Sequence, residues 1–256
     1  MTSSASSERV PFGRIYADRL DRAAALDRIV SLCRAGQGGM VVTPNVDHVV
    51  MAETNDALAA AYDDAALSLT DGKPLVWLAQ AMGRPVPEKI SGSDLIRPLI
   101  ARAATEGLSC FFFGGQPGIA ERAAAILCAE HPALIVAGCH SPPFGFETDA
   151  ASDRAAVDVV VAARPHLVFV ALGSPKQELW MHRHRQALGG AVTLGIGASL
   201  DFIAGAVRRA PAWMSQAGLE WVYRLAQEPG RMYERYLVRD RAIVGIAWRT
   251  WRTHSR

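Results

Sequence analysis

The sequence predicts an α/β fold, a parallel sheet with helices on both faces, followed by a helical C-terminal appendage. Three observations predict it. Short apolar runs of strand length alternate with stretches of helical periodicity through most of the chain. Several of those runs stop at glycine, proline or a small polar residue, where a strand gives way to a turn. Past Arg208 the strand-like runs cease and the charge changes character. From there on the chain carries ten arginines, no lysine and four acids, a balance of +6 against a total of only +2, which leaves about −4 for everything before it.

The elements follow in order. The opening MTSSASSERV is polar, so residues 1–11 read as a disordered tail, and it lacks the apolar segment of a signal peptide. Gly39–Thr43 reads as a strand, followed by one helix from about Asp47 to Tyr62. Leu67–Thr70 is a short strand that ends at Asp71-Gly72. Asp94–Glu106 is helical, and Ser109–Phe113 is an aromatic-rich strand. Leu134–Ala137, Leu167–Leu172 and Val192–Ile196 complete the strands, each with a helix before or after it. This core spans residues 12–208. The appendage, 209–256, divides into a helix from Pro211 to Ala226 and a second from about Pro229 to Trp251.

With 256 residues, half of them apolar, the chain suits one large domain or a domain with an appendage. No uncharged apolar run reaches the roughly 18 residues of a membrane span. Cys33, Cys110, Cys128 and Cys139 show no CxxC or Cys/His ligand spacing, and the first three, which lie in apolar stretches, read as reduced core residues of a cytosolic protein. In the last helix Tyr233, Tyr236, Leu237, Ile243, Val244, Ala247, Trp248 and Trp251 recur at three- and four-residue spacing. Arg235, Arg239, Arg241, Arg249 and Arg252 take the remaining face. Such a helix fits the interface of an anionic bilayer, or equally a domain surface with its arginines solvated.

In open parallel sheets ligands collect beyond the C-terminal ends of the strands. That rule selects Thr43-Pro44-Asn45, Asp71-Gly72, the turn Gly114-Gly115-Gln116-Pro117-Gly118, the run Gly173-Ser174-Pro175-Lys176-Gln177-Glu178, and Gly195-Ile196-Gly197. Each has two readings. Asp71 is a general base at the mouth of the sheet, or the acid of an ordinary Asp-Gly turn. The glycine turn is a cradle for phosphate, or a tight strand-to-helix connection; it has neither the Gly-Lys-Ser/Thr of a P-loop nor the dinucleotide GxGxxG. Lys176 and Gln177 head a helix over a strand end, a place suited to a diphosphate and a sugar hydroxyl. Glu178, in the same turn, is accounted for by the helix dipole. His182 and His184 form no metal-ligand pattern, and Ser199 lies outside the GxSxG of a hydrolase elbow, so no metal or serine chemistry is expected.

Taken together and in order, Thr43-x-Asn45, Thr70-Asp71-Gly72, Gly92-x-Asp94-Leu95, the Gly-Gly-x-Pro-Gly turn, GSPKQE, GIGASLDFIAG and RAPAWMSQAGLEWVYRLAQEPGR resemble the WecG/TagA/CpsF glycosyltransferases, from about residue 12 to 240. The resemblance implies a Rossmann-like core of the GT-E type. It implies inverting transfer of a sugar from a UDP-sugar, N-acetylmannosamine or its uronate foremost, to an undecaprenyl-diphosphate-linked acceptor in cell-surface polysaccharide synthesis. No metal or other cofactor is implied. Asp71 matches the family's proposed base, and Thr43, Asn45 and Gln177 its polar pocket residues. Asp201 falls where the family contacts the nucleotide, and with Gly114, Gly115, Pro117, Gly118, Gly173, Pro175, Lys176 and Gly197 makes up the expected nucleotide-sugar site. Arg209, Arg224 and Arg231 are the expected acceptor-diphosphate arginines of the appendage. Where members commonly carry Arg, this chain has Lys89, which keeps the charge without the bidentate fork.

The partners expected on this basis are a UDP-sugar, a polyprenyl-diphosphate-linked sugar and, through the C-terminal helix, the anionic inner face of the cell membrane. The protein would be cytoplasmic and peripherally attached there, with no nucleic-acid partner and with either a monomer or a homo-oligomer conceivable. Two other readings are a transferase using a donor of the UDP-glucose type, and a non-catalytic module that senses UDP-sugars.

Overall fold

The structure, a computed structural model, describes residues 9–211, 214, 220–227, 230, 233 and 240–254. Six parallel strands form its main sheet: β3 (Gly39–Val42), β4 (Leu67–Ser68), β5 (Ser109–Gly114), β6 (Ile135–His140), β7 (Leu167–Ala171) and β8 (Val192–Gly195), in the order β4-β3-β8-β7-β5-β6. The α/β architecture predicted from the alternation is therefore present. The central strands read as continuous apolar runs because both of their faces are covered. Val41, Phe112, Phe169 and Leu194 enter one core, packed by α1 (Arg22–Arg34), α5 (Gly92–Glu106), α6 (Ile119–Glu130) and α9 (Ser199–Ile203). Val42, Phe111, Phe113 and Val170 enter the other, under α2 (Val46–Ala52), α3 (Asp56–Asp63), α4 (Lys73–Ala81), α7 (Ala150–Ala163) and α8 (Lys176–Leu188). Each such fully buried side chain contributes about 1.5–3 kcal/mol.

Three expectations change. Arg9, Val10 and Pro11, read as part of the tail, belong to a strand, β1 (Arg9–Phe12), which pairs antiparallel with β2 (Ile15–Asp18). Val10, Phe12, Ile15 and Ala17 bury on the second core, so the hairpin is part of the domain. Residues 1–8 lie outside the described residues. The single helix expected from Asp47 to Tyr62 is two, because the Asn55 side chain accepts the Leu58 N–H at 3.0 Å and caps a new helix there. In the appendage, α10 (Glu220–Gln227) covers the end of the helix expected from Pro211, of which residues 212, 213 and 215–219 lie outside the described residues. The helix expected from Pro229 is described continuously only from Asp240, where a 3-10 turn (Asp240–Ala242) leads into α11 (Ile243–His254).

That last helix docks on the domain. Ile246 is buried in the second core, the Thr250 hydroxyl accepts the Gly13 N–H at 3.1 Å, and Arg249 pairs with Glu53 beside α2. Val244, Trp248 and Trp251 form a different stripe of the same helix and stay exposed. Among the described residues no helix is long and apolar enough to cross a membrane.

Candidate active site

The C-terminal ends of β3, β4, β7 and β8 converge on one cavity of about 640 Å³. It is lined from β3 by Thr43 and Asn45, after β4 by Asp71, after β7 by Gly173, Ser174, Pro175 and Gln177, and after β8 by Gly197 and Asp201. All four residues expected to be catalytic are thus on one wall system, although they are far apart in the chain.

Local structure explains their placement. Asn45 caps α2: its side chain accepts the His48 N–H at 3.4 Å, while its own N–H donates to His48 Nδ1 at 3.2 Å. The Asp71 N–H donates to the Pro44 carbonyl at 2.8 Å, which ties the end of β4 to the end of β3 and brings Asp71 beside Thr43 and Asn45. Gln177 is 4% exposed, and its Oε1 accepts the Gly197 N–H at 3.0 Å, joining the head of α8 to the loop after β8. The helix itself is anchored by Asp153 of α7, whose carboxylate accepts from Trp180 Nε1, Arg183 and His184, each at 3.0 Å. Trp180 in turn stacks on Phe113 at 4.3 Å.

Other expected site residues take different places. The Gly114–Gly118 turn borders the cavity through Gln116 alone; Gly114, Gly115, Pro117 and Gly118 are not on its wall. At Gly114 a β-carbon would lie 2.6 Å from the Ala171 carbonyl oxygen, and φ is +100°, so glycine here serves the close approach of two strands. Lys176, expected to face a diphosphate, pairs with Glu147 and covers the Phe144 ring at 4.6 Å. Lys89 and Arg209 converge on Asp94, whose two carboxylate oxygens they contact at 2.7 Å each. Asp94 also closes a capping box with Ser91 at the start of α5, next to the cavity residues Gly92 and Ser93. Burial alone would raise the Asp94 carboxyl, but the hydrogen bonds from Arg209 and Lys89 outweigh it and hold it well below the usual range. Arg224 lies on α10, and Arg231 is outside the described residues.

The sequence reading missed Asp47, His48, Ser91, Ser93 and Phe202, which also line the cavity. Asp47 and His48 are the first-turn residues that follow Asn45. Extending each strand-end segment one helical turn further would have found them.

Comparison with known proteins completes the description. Residues 10–256 match the Glycosyl transferase WecG/TagA/CpsF family. The chain belongs to that family. A relative from Bacillus spizizenii, an N-acetylglucosaminyldiphosphoundecaprenol N-acetyl-beta-D-mannosaminyltransferase, is 32% identical over 76% of this chain and 74% of its own. A protein of the same description from Bacillus subtilis strain 168 is 32% identical over 64% of this chain and 61% of its own. The resemblance seen in the motifs is therefore confirmed, and Thr43, Asn45, Asp71, Gln177 and Asp201 of this family member line a single cavity.

Glu178 departs most from its expected role. It is 1% exposed, and burial pushes its carboxyl up to about 7, against the opposing hydrogen bonds of Gln177, its own backbone and Ser174. Desolvation, not the helix dipole, dominates. The sign for stability follows from proton binding. From about 4.5 to about 7 the folded enzyme holds a proton that the unfolded chain has released, so the residue lowers stability progressively as pH rises through that window. Glu178→Gln should therefore melt near wild type at about pH 5 and above it at about pH 8. Equal differences in melting temperature at both pH values would show that the carboxyl is not held neutral.

Proposed function

We propose that this family member is an inverting, UDP-sugar-dependent hexosyltransferase acting on a polyprenyl-diphosphate-linked sugar, with N-acetylmannosamine or its uronate as the transferred group. The observation that carries the proposal is the gathering of Asp71, Thr43, Asn45, Gln177 and Asp201 on one cavity at the strand ends of a chain that belongs to a glycosyltransferase family. The relatives' names support the acceptor and the sugar, since both are described as mannosaminyltransferases acting on a diphosphoundecaprenol-linked glucosamine derivative.

The reaction is one displacement. Asp71 takes the proton of the acceptor hydroxyl as that oxygen bonds to the anomeric carbon. The bond from that carbon to the diphosphate breaks, and its electron pair leaves with UDP. One displacement inverts the centre, so an α-linked donor gives a β-linked product. The relatives' β-mannosaminyl description agrees with that outcome. Thr43, Asn45 and Gln177 orient the reacting sugars, and such positioning accounts for a large share of the barrier reduction. Charge develops on the leaving diphosphate, where fixed cations are most effective. Lys89 and Arg209 are held by Asp94, which follows the cavity residues Gly92 and Ser93 in the chain, and a diphosphate there competes with Asp94 for them.

Membrane attachment is part of the same reading. A lipid-linked acceptor stays in the bilayer, and α11 turns Val244, Trp248 and Trp251 outward, with Arg252 over the Trp248 ring. This arrangement suits reversible adsorption to an anionic surface.

The test is UDP release by the purified full-length protein with a panel of UDP-sugars and a short-chain diphosphate-linked acceptor. Acceptor-dependent release with UDP-N-acetylmannosamine or its uronate is the expected result. Tight UDP binding without release across donors and acceptors would overturn it in favour of a sensing module.

A further inference from the structure

The displacement leaves Glu178 without a role, although it is the most deeply buried carboxyl beside the cavity. Its Oε1 accepts a hydrogen bond from Gln177 Nε2 at 2.8 Å. Its Oε2 has no hydrogen-bond partner among the described residues, and neither has the buried Tyr62 hydroxyl of α3, which feels the charges of Glu178, Asp71 and Asp47. A sealed carboxyl with an unpaired oxygen adds nothing to fold stability that an apolar side chain of similar size would not add at lower cost. The side chains that oppose the cost of its burial, Gln177 and Ser174, both line the cavity.

We propose that Glu178 is a positioning residue that holds the Gln177 carboxamide in a single orientation for the ligand, an inference that rests on the transferase reading of this cavity. Two fixed points define the orientation. The Gly197 N–H can only donate, and it meets Gln177 Oε1 at 3.0 Å. Glu178 Oε1 then receives the Nε2 side. A carboxamide turned over would set its NH2 against the Gly197 N–H and its oxygen against the Glu178 acceptor, so only one rotamer satisfies both. Of the two Nε2 hydrogens, one is committed to Glu178, and the second is the donor that Gln177 has for a sugar or phosphate oxygen in the cavity.

Gly195 provides the space. A β-carbon on it would lie 2.7 Å from Gln177 Nε2 and 3.1 Å from Cδ, closer than atoms in contact allow. Glu178 thus secures the carboxamide from one side, while the bare backbone of β8 lets it lie flat against the strand end. Both act on the reaction through Gln177 and touch no reacting atom.

The experiment compares Glu178→Leu, Glu178→Gln and Gly195→Ala, each in the full-length protein and the first also in a Gln177→Ala background. Acceptor-dependent kcat and KM are measured, together with the Gln177 side-chain amide signals by nuclear magnetic resonance. Glu178→Leu should fold at least as stably as wild type and lower kcat by about 10- to 100-fold with little change in donor KM, the cost of a misplaced orienting group. Glu178→Gln, which keeps an acceptor oxygen, should recover most of that loss. In the Gln177→Ala background Glu178→Leu should add no further loss, since nothing remains to be positioned. Gly195→Ala should reproduce the kcat defect, and both it and Glu178→Leu should shift and broaden the Gln177 amide pair.

Full activity of both Glu178→Leu and Gly195→Ala would overturn the proposal. So would an undiminished further loss from Glu178→Leu when Gln177 is already alanine. Were the wild type to show no transfer, the functional reading would fall while the amide signals still decided whether Glu178 orders Gln177. Unchanged Gln177 signals in Glu178→Leu would then sink the positioning role by themselves.

Discussion

Asp71→Asn is expected to fold as the wild type does and to lose about 10²- to 10⁴-fold in acceptor-dependent turnover, the usual worth of a positioned general base. The substitution keeps the shape of the side chain and leaves intact the backbone bond from Asp71 to Pro44 that joins the ends of β3 and β4. The loss should appear in kcat, because the carboxamide still fills the same place on the cavity wall while no longer accepting a proton. UDP binding, measured calorimetrically, should survive. A variant that melts normally and turns over at the wild-type rate would remove Asp71 from the chemistry and turn attention to Asp47 or Asp201, the other carboxylates on the same cavity.

Removal of residues 209–256 should abolish both sedimentation with anionic liposomes and transfer to a membrane-embedded acceptor. Arginines near anionic lipid contribute about 1 kcal/mol each, and the apolar stripe adds the burial of its tryptophans. The truncation also strips Arg209 from Asp94, Ile246 from the second core and Thr250 from Gly13, so lost activity alone would not separate binding from folding. The paired substitution Trp248→Glu and Trp251→Glu makes that separation. Both side chains are exposed, at 58% and 42%, so the fold should persist while liposome binding weakens by more than about tenfold. Transfer to a short, water-soluble acceptor should continue. Undiminished liposome binding by this double variant would place the membrane contact elsewhere.

Much of the architecture was legible in the order of residues. Apolar runs such as Leu167–Ala171 are strands buried on both faces, and that burial leaves no alternation to misread. The strand-end rule then led to Thr43, Asn45, Asp71 and Gln177, the family resemblance added Asp201, and the fold brings all five to one cavity. The hairpin at Arg9–Asp18 was less legible. Four-residue strands next to a polar tail give too little periodicity to stand out, and they are held by contacts with residues far along the chain.

Side-chain direction was harder to read than position. Lys176, Gln177 and Glu178 are consecutive, yet the first pairs with Glu147, the second lines the cavity, and the third is sealed beneath it. Successive helical residues point about 100° apart, so the rotation of α8 about its axis decides which one meets a ligand. That rotation is set by Trp180 against Phe113 and Asp153, contacts made across the chain. The appendage shows the same division. Helical periodicity put Ile243, Val244, Ala247, Trp248 and Trp251 on one apolar face, but docking through Ile246 and Thr250 decided that Val244, Trp248 and Trp251 face outward while Ile243 packs against the second core. What the sequence determined by itself was the alternation of elements and the chemical types at their ends, because these depend on local periodicity and turn chemistry. What the tertiary structure decided was which of those groups meet, because burial and partner charges are properties of neighbours distant in the chain.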